Sequence, residues 1–166
     1  MPLHQDLLCL SNELVDRNPA APVDADLRRG VSTAYYAIFH LLVYEGTARL
    51  VSIAALRPRV ARAFDHRIMK TVCQEYAKLT LNPAGQFMLG GQSVPQQIKD
   101  IASAFIALQE ARHQADYDTA VVLKQAQAQT HVLRAEVAFL DWQAVQADPA
   151  ASAFLAELLY RGIPRR

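Results

Sequence analysis

The sequence is short of the features that announce a specialised protein. Its two cysteines, Cys9 and Cys73, lie far apart and belong to no C-x-x-C pair. That excludes a disulfide scaffold and a structural zinc site. The six glycines form no Walker loop and no G-x-G-x-x-G turn, so the usual nucleotide cradles are missing. There is no Gly-x-Ser-x-Gly elbow. No apolar run reaches the roughly 18 residues of a membrane span. Met1 to Asp6 lacks the basic region of a signal peptide, and a cytoplasmic location without membrane association is expected. Neither sign of charge dominates. Seventeen Lys and Arg face sixteen Asp and Glu, a formal net of +1, which argues against a generic polyanion binder. Alternating β-branched runs are absent, so no sheet is expected.

What is present favours helix. The chain is 52% hydrophobic and holds 28 alanines among its 166 residues. Alanine is the strongest helix former, and so apolar a chain is not disordered. One domain is expected over 1–166, with a core from about residue 3 to 160 and a frayed tail over 161–166. A first helix is expected from Leu3 to Arg17, with Leu3, Leu7, Leu10 and Leu14 as its apolar stripe. A second runs from Ala25 to Ala48, N-capped by Asp24. It is apolar or aromatic nearly all round from Val31 to Leu42, the mark of a central helix. Gly30 inside it suggests a close helix crossing. A third helix should run from Arg57 to Leu79, and a loop from Leu81 to Gly91. Ser93 should cap a fourth helix from Val94 to His113, whose stripe is Ile98, Ile101, Phe105 and Leu108. A tight connection at Asp116–Asp118 precedes a fifth helix from Thr119 to Gln146, carrying Val122, Leu133, Val137 and Leu140. Asp148-Pro149 opens a short last helix ending near Tyr160.

Metal chemistry finds little support. Glu110-x-x-His113 is a single Glu-x-x-His, whereas carboxylate-bridged bundles need two plus further carboxylates. The five histidines lack H-E-x-x-H spacing. No metal and no cofactor are expected. Two constellations carry more. Ser32, Tyr36 and His40 follow at intervals of four and share one helix face. Three polar tips on a buried helix all need partners. Arg112 continues the fourth helix's apolar stripe, so it should point inward, close to Asp116 and Tyr117. It reads either as a cation at a helix end or as a guanidinium held for phosphate. The arginines Arg28, Arg29, Arg57, Arg59, Arg62 and Arg67 and Lys70 form a basic patch only if their helices present them together.

Leu27-Arg28-Arg29-Gly30-Val31-Ser32-Thr33-Ala34-Tyr35-Tyr36-Ala37-Ile38-Phe39-His40 and Arg112-His113-Gln114-Ala115-Asp116-Tyr117-Asp118 resemble the HEPN-like superfamily. The likeness is to bacterial stand-alone members with a Ser-x-x-Tyr-Tyr-Ala-x-Phe-His helix and a later Arg-x-x-Ala-Asp-Tyr. Residues 62–70 resemble the family's middle helix. The resemblance implies an all-α, up-and-down helical bundle of four to five main helices plus a short C-terminal helix, usually a homodimer. It implies a partner encoded nearby, a nucleotidyltransferase or a toxin or antitoxin, and RNA or a nucleotide as ligand. Nucleolytic members carry Arg-x(4–6)-His. Counted from Arg112, the histidine falls at 117, 118 or 119, where Tyr117, Asp118 and Thr119 stand. The expectation is therefore a non-catalytic binding module of a toxin–antitoxin or defence-type system. Its ligand cleft would comprise Ser32, Tyr36, His40, Arg112, Asp116 and Tyr117. The alternative is a metal-independent ribonuclease that uses Arg112 with a non-standard base from His113, His40 or Tyr117.

Overall fold

A computed structural model of the chain describes residues 1–162. Every regular element among them is helical: α1 (Leu3–Asp16), α2 (Asp24–Leu50), α3 (Arg57–Val60), α4 (His66–Lys78), α5 (Pro83–Leu89), α6 (Gln96–Tyr117), α7 (Gln125–Val145) and α8 (Pro149–Tyr160), with short 3-10 turns at Ala54–Leu56 and Ala61–Ala63. The all-helical bundle class expected from the sequence is what forms.

Several boundaries differ, each for a local reason. The expected third helix breaks at Phe64, which is extended, and the Asp65 carboxylate caps α4 by accepting from the Arg67 and Ile68 amides. The expected loop over 81–91 contains α5. Asn82 accepts from the Gly85 amide at its start, and Gly90, at φ 59°, ends it. Such a left-handed end suits glycine. Asp24 lies inside α2 rather than capping it, since the Leu27 amide bonds to the Val23 carbonyl. Ser93 does not cap α6, whose first amide bonds run to the Pro95 carbonyl. The helix continues through Asp116 and Tyr117, and α7 begins only at Gln125. Asp148 does cap α8, accepting from the Ala150 amide at 2.8 Å.

Contacts within the chain gather into two compact units. One comprises Met1–Leu41 with Ala104–Phe139; the other comprises Leu42–Ser103 with the chain from Leu140 onward. In the first, α1 buries His4, Ser11 and Val15. The expected leucine stripe is wrong: Leu3 and Leu10 are exposed and Leu7 and Leu14 half-buried. The α7 stripe is wrong too. Ala128, Val132, Ala135 and Ala138 are buried, while Leu133 and Val137, like Leu140 beyond them, are exposed. Small residues let a helix approach its neighbour closely, so the face with Ala128, Ala135 and Ala138 turns inward, joined by Val132 and Phe139, and the face with Leu133 and Val137 turns outward. Gly30 allows a close approach of α1: a Cβ there would lie 2.5 Å from Val15 Cγ1 and 3.3 Å from the Ser11 carbonyl oxygen. The α6 stripe holds throughout, with Ile98, Ile101, Phe105 and Leu108 fully buried.

The second unit buries Met69, Val72, Cys73 and Tyr76 of α4 and most of α8. Tyr76 packs against Phe154, ring centres 4.8 Å apart and planes tilted by 59°. Burial pushes the Cys73 thiol up, so it stays protonated. Arg161, expected in a frayed tail, is anchored instead. It donates twice to the Glu75 carboxylate, at 2.7 and 2.8 Å. Its Nε also lies 2.7 Å from the fully buried Glu157, an ion pair without hydrogen-bond alignment. The rest of the expected tail, 163–166, lies outside the described residues.

Candidate functional site

The site lies in the first unit and follows from how α2 meets the C-terminal half of α6. Side chains four apart on α2 meet α6 in reverse order, as antiparallel helices require. Arg28 donates to the Ala115 and Asp118 carbonyls, each at 3.0 Å, and to the Val121 carbonyl. Its Nε is paired with Asp24 at 2.6 Å. One turn on, the Ser32 hydroxyl donates to Asp116 Oδ2 at 3.2 Å. One turn further, Tyr36 accepts from Arg112 Nη2 at 3.0 Å.

Arg112 is the centre of this group. Its Nε lies 2.9 Å from Asp116 Oδ2, one helical turn away. The approach is an ion pair, not an aligned hydrogen bond. Its guanidinium carbon lies 5.4 Å from the Tyr36 ring centre, 5.7 Å from that of Tyr117 and 6.0 Å from that of Tyr35. Such distances are those of cation–π attraction. Burial acts to lower the Arg112 pKa, but the fields of Tyr36, Asp116, Tyr117 and Tyr35 outweigh it and hold it above the usual value. The group is a fixed cation with a built-in counter-ion. Nη1 engages no partner among the described residues.

The structure thus brings together Ser32, Tyr36, Arg112, Asp116 and Tyr117. It does not join His40 to them. His40 lies one turn, about 5–6 Å, beyond Tyr36 along α2, with its ring against Phe39 at 5.2 Å. It is not among the partners of Arg112. Burial lowers its pKa, so the imidazole is neutral near pH 7. His113 is exposed and lies 5.0 Å from Tyr117, ring to ring. Tyr117 itself is 64% exposed and forms the outer wall of the cluster.

Two contributors escaped the sequence reading. Tyr35, fully buried, touches Arg112 and accepts from Gln109 at 3.4 Å. In sequence it is one more aromatic in an apolar run. Arg28, a patch member in the sequence only if its helix presents it with the others, instead binds one carbonyl in the last turn of α6 and two in the chain that follows. The signal was available in Asp24 and Arg28, a carboxylate and an arginine four apart. No group of His, Cys, Asp and Glu suited to a metal occurs among the described residues. The chain matches no protein-family model, no curated protein and no solved structure.

Proposed function

We propose that the chain is a non-catalytic, HEPN-like binding module that acts in the cytoplasm as a homodimer, within a toxin–antitoxin or defence-type system. Its ligand is RNA, a nucleotide or a protein partner encoded nearby. The observation that carries this reading is the company Arg112 keeps. A nuclease of this kind needs a guanidinium for phosphate beside a proton-transfer group. Here the guanidinium has Asp116 at 2.9 Å and Tyr36 at 3.0 Å, and no histidine touches it. What the cluster offers is recognition. Nη1 has donors to spare, and the half-buried Tyr36 hydroxyl and exposed Tyr117 ring provide a hydrogen bond and a stacking face.

One observation favours the second reading, a metal-independent ribonuclease with a non-standard base. His113 stands against Tyr117, which itself touches Arg112. The experiment that separates the two readings is incubation of purified protein with a structured RNA in EDTA, beside Arg112→Ala. The binding reading expects no cleavage by either protein and weaker RNA retention by the variant. Cleavage that disappears in Arg112→Ala establishes the enzyme instead. The proposed homodimer has apolar surface to cover on the first unit, where Leu3, Leu10, Leu133 and Val137 are exposed.

A further inference from the structure

The net charge of +1 hides an uneven distribution. Residues 57–70 carry Arg57, Arg59, Arg62, Arg67 and Lys70 against the single carboxylate of Asp65. That carboxylate is occupied in capping α4. Elsewhere the described arginines, Arg29 and Arg134 aside, are paired with carboxylates. Arg17, Arg28, Arg49, Arg112 and Arg161 each have a carboxylate within 3.0 Å, whereas Arg134 is bonded to the His131 ring. Among the described residues no ion pair compensates Arg57, Arg59, Arg62 or Arg67. Arg59, Arg62 and Arg67 are exposed, and Arg57 is half-buried, its Nε bonded to the Val51 carbonyl at 3.0 Å.

The segment is also held in place. Phe64 is buried against Gly46, where a Cβ would lie 2.7 Å from the ring. From Arg57 to Arg62 the chain advances only about 10 Å, since it is helical or 3-10 throughout. Several unneutralised guanidinium groups are therefore concentrated on one short, fixed stretch of the second unit.

We propose that this stretch binds the phosphodiester backbone of a single nucleic-acid strand, without reading its bases. The planar guanidinium fork matches phosphate better than an ammonium does, and the four uncompensated cations are all arginine. Phe64, the segment's one Phe, Tyr or Trp, is buried, and the small ring of His66 is its one exposed ring, so the stretch offers no row of aromatic platforms for successive bases. An anionic membrane fits less well. Insertion at a membrane interface favours a continuous amphipathic helix, and here the run is broken into α3, a 3-10 turn and an extended Phe64. The surface is independent of the Arg112 cluster and does not rest on the function proposed for it.

The test is fluorescence anisotropy with a labelled 20-nucleotide strand, as RNA and as DNA, at 50 and 200 mM KCl. Four phosphate contacts imply a slope near −0.7 per contact, hence a loss of roughly 50-fold over that fourfold rise in salt. Arg59→Gln with Arg62→Gln leaves two contacts, which cuts the salt-dependent loss to roughly 7-fold. It should also weaken binding at 50 mM about tenfold or more. Arg29→Gln with Lys124→Gln removes the same charge from exposed positions of the first unit and should leave affinity within about twofold. RNA and DNA should bind alike. All four positions are exposed, and a thermal melt verifies that each variant is folded. The proposal is overturned by absence of binding at 50 mM KCl, or by equal weakening in the two double variants. Dependence on Arg112→Ala but not on Arg59 and Arg62 overturns it while leaving the function proposed above intact. Sedimentation with phosphatidylserine vesicles, without oligonucleotide binding, assigns the surface to a membrane instead.

Discussion

The Arg112 side chain holds Asp116 and Tyr36 by different forces, and substitution should separate them. Asp116 and Arg112 are both mostly buried, with side-chain exposures of 16% and 24%. Removing either leaves a poorly hydrated charge. A double-mutant cycle with Arg112→Ala and Asp116→Asn, followed by urea unfolding, should give a coupling energy of about 1–3 kcal/mol. Tyr36→Phe removes one hydrogen bond to a charged group and should cost about 1.5–3 kcal/mol. The histidines set a pH dependence. Burial lowers the pKa of His40, and of His131, where Arg134 adds to the effect. The unfolded chain therefore takes up protons before the folded one. The stability contributed by the neutral rings is complete above about pH 6.5, the ordinary histidine value, and declines as pH falls below it. Urea midpoints from pH 7.5 to 5 should fall in the wild type, and the fall should be shallower in His40→Leu. An unchanged slope in that variant would remove His40 from the account.

At the scale of elements, two arginines act as clips. Arg28 holds the end of α6 and the chain that leads to α7. Arg28→Ala should raise amide hydrogen exchange over 118–124 while the centre of α6 stays protected, because the carbonyl partners lie in the last turn of α6 and in the chain beyond it. Arg161 neutralises Glu157, which is fully buried. Arg161→Ala should destabilise by roughly 3–5 kcal/mol, the usual cost of stranding one half of a buried pair. Adding Glu157→Gln should recover part of the loss in a thermal or urea melt. These clips also mark where sequence reading stopped. Helix type and the α6 stripe were legible because apolar periodicity reports them directly. The face of α7 is not legible because an alanine-rich helix offers two apolar stripes, and the one with Ala128, Val132, Ala135 and Ala138 is buried while Leu133 and Val137 are exposed. The break at Phe64 was missed because Asp65 is an N-cap only in the company of an extended neighbour. The Ser32–Tyr36–Arg112–Asp116 group was legible from spacing on two helices. Tyr35 was not, since nothing in an aromatic run says which ring faces a cation.

At the scale of the whole molecule, the proposed homodimer gives a direct test. Leu133→Lys with Val137→Lys places charge on exposed aliphatic positions, so the protomer should keep its melting temperature within a few degrees. Sedimentation velocity should nonetheless shift from dimer to monomer. A wild type that sediments as a monomer at tens of micromolar would remove the dimer from the proposal. A different use follows from the two thiols. Cys9 is exposed and Cys73 fully buried, so one sulfur meets solvent at all times and the other only when the second unit opens. Alkylation should therefore proceed in two phases. The fast phase calibrates the reagent, and the slow one times opening around α4. The native chain thus carries its own stopwatch, readable by mass without adding a label or changing a residue.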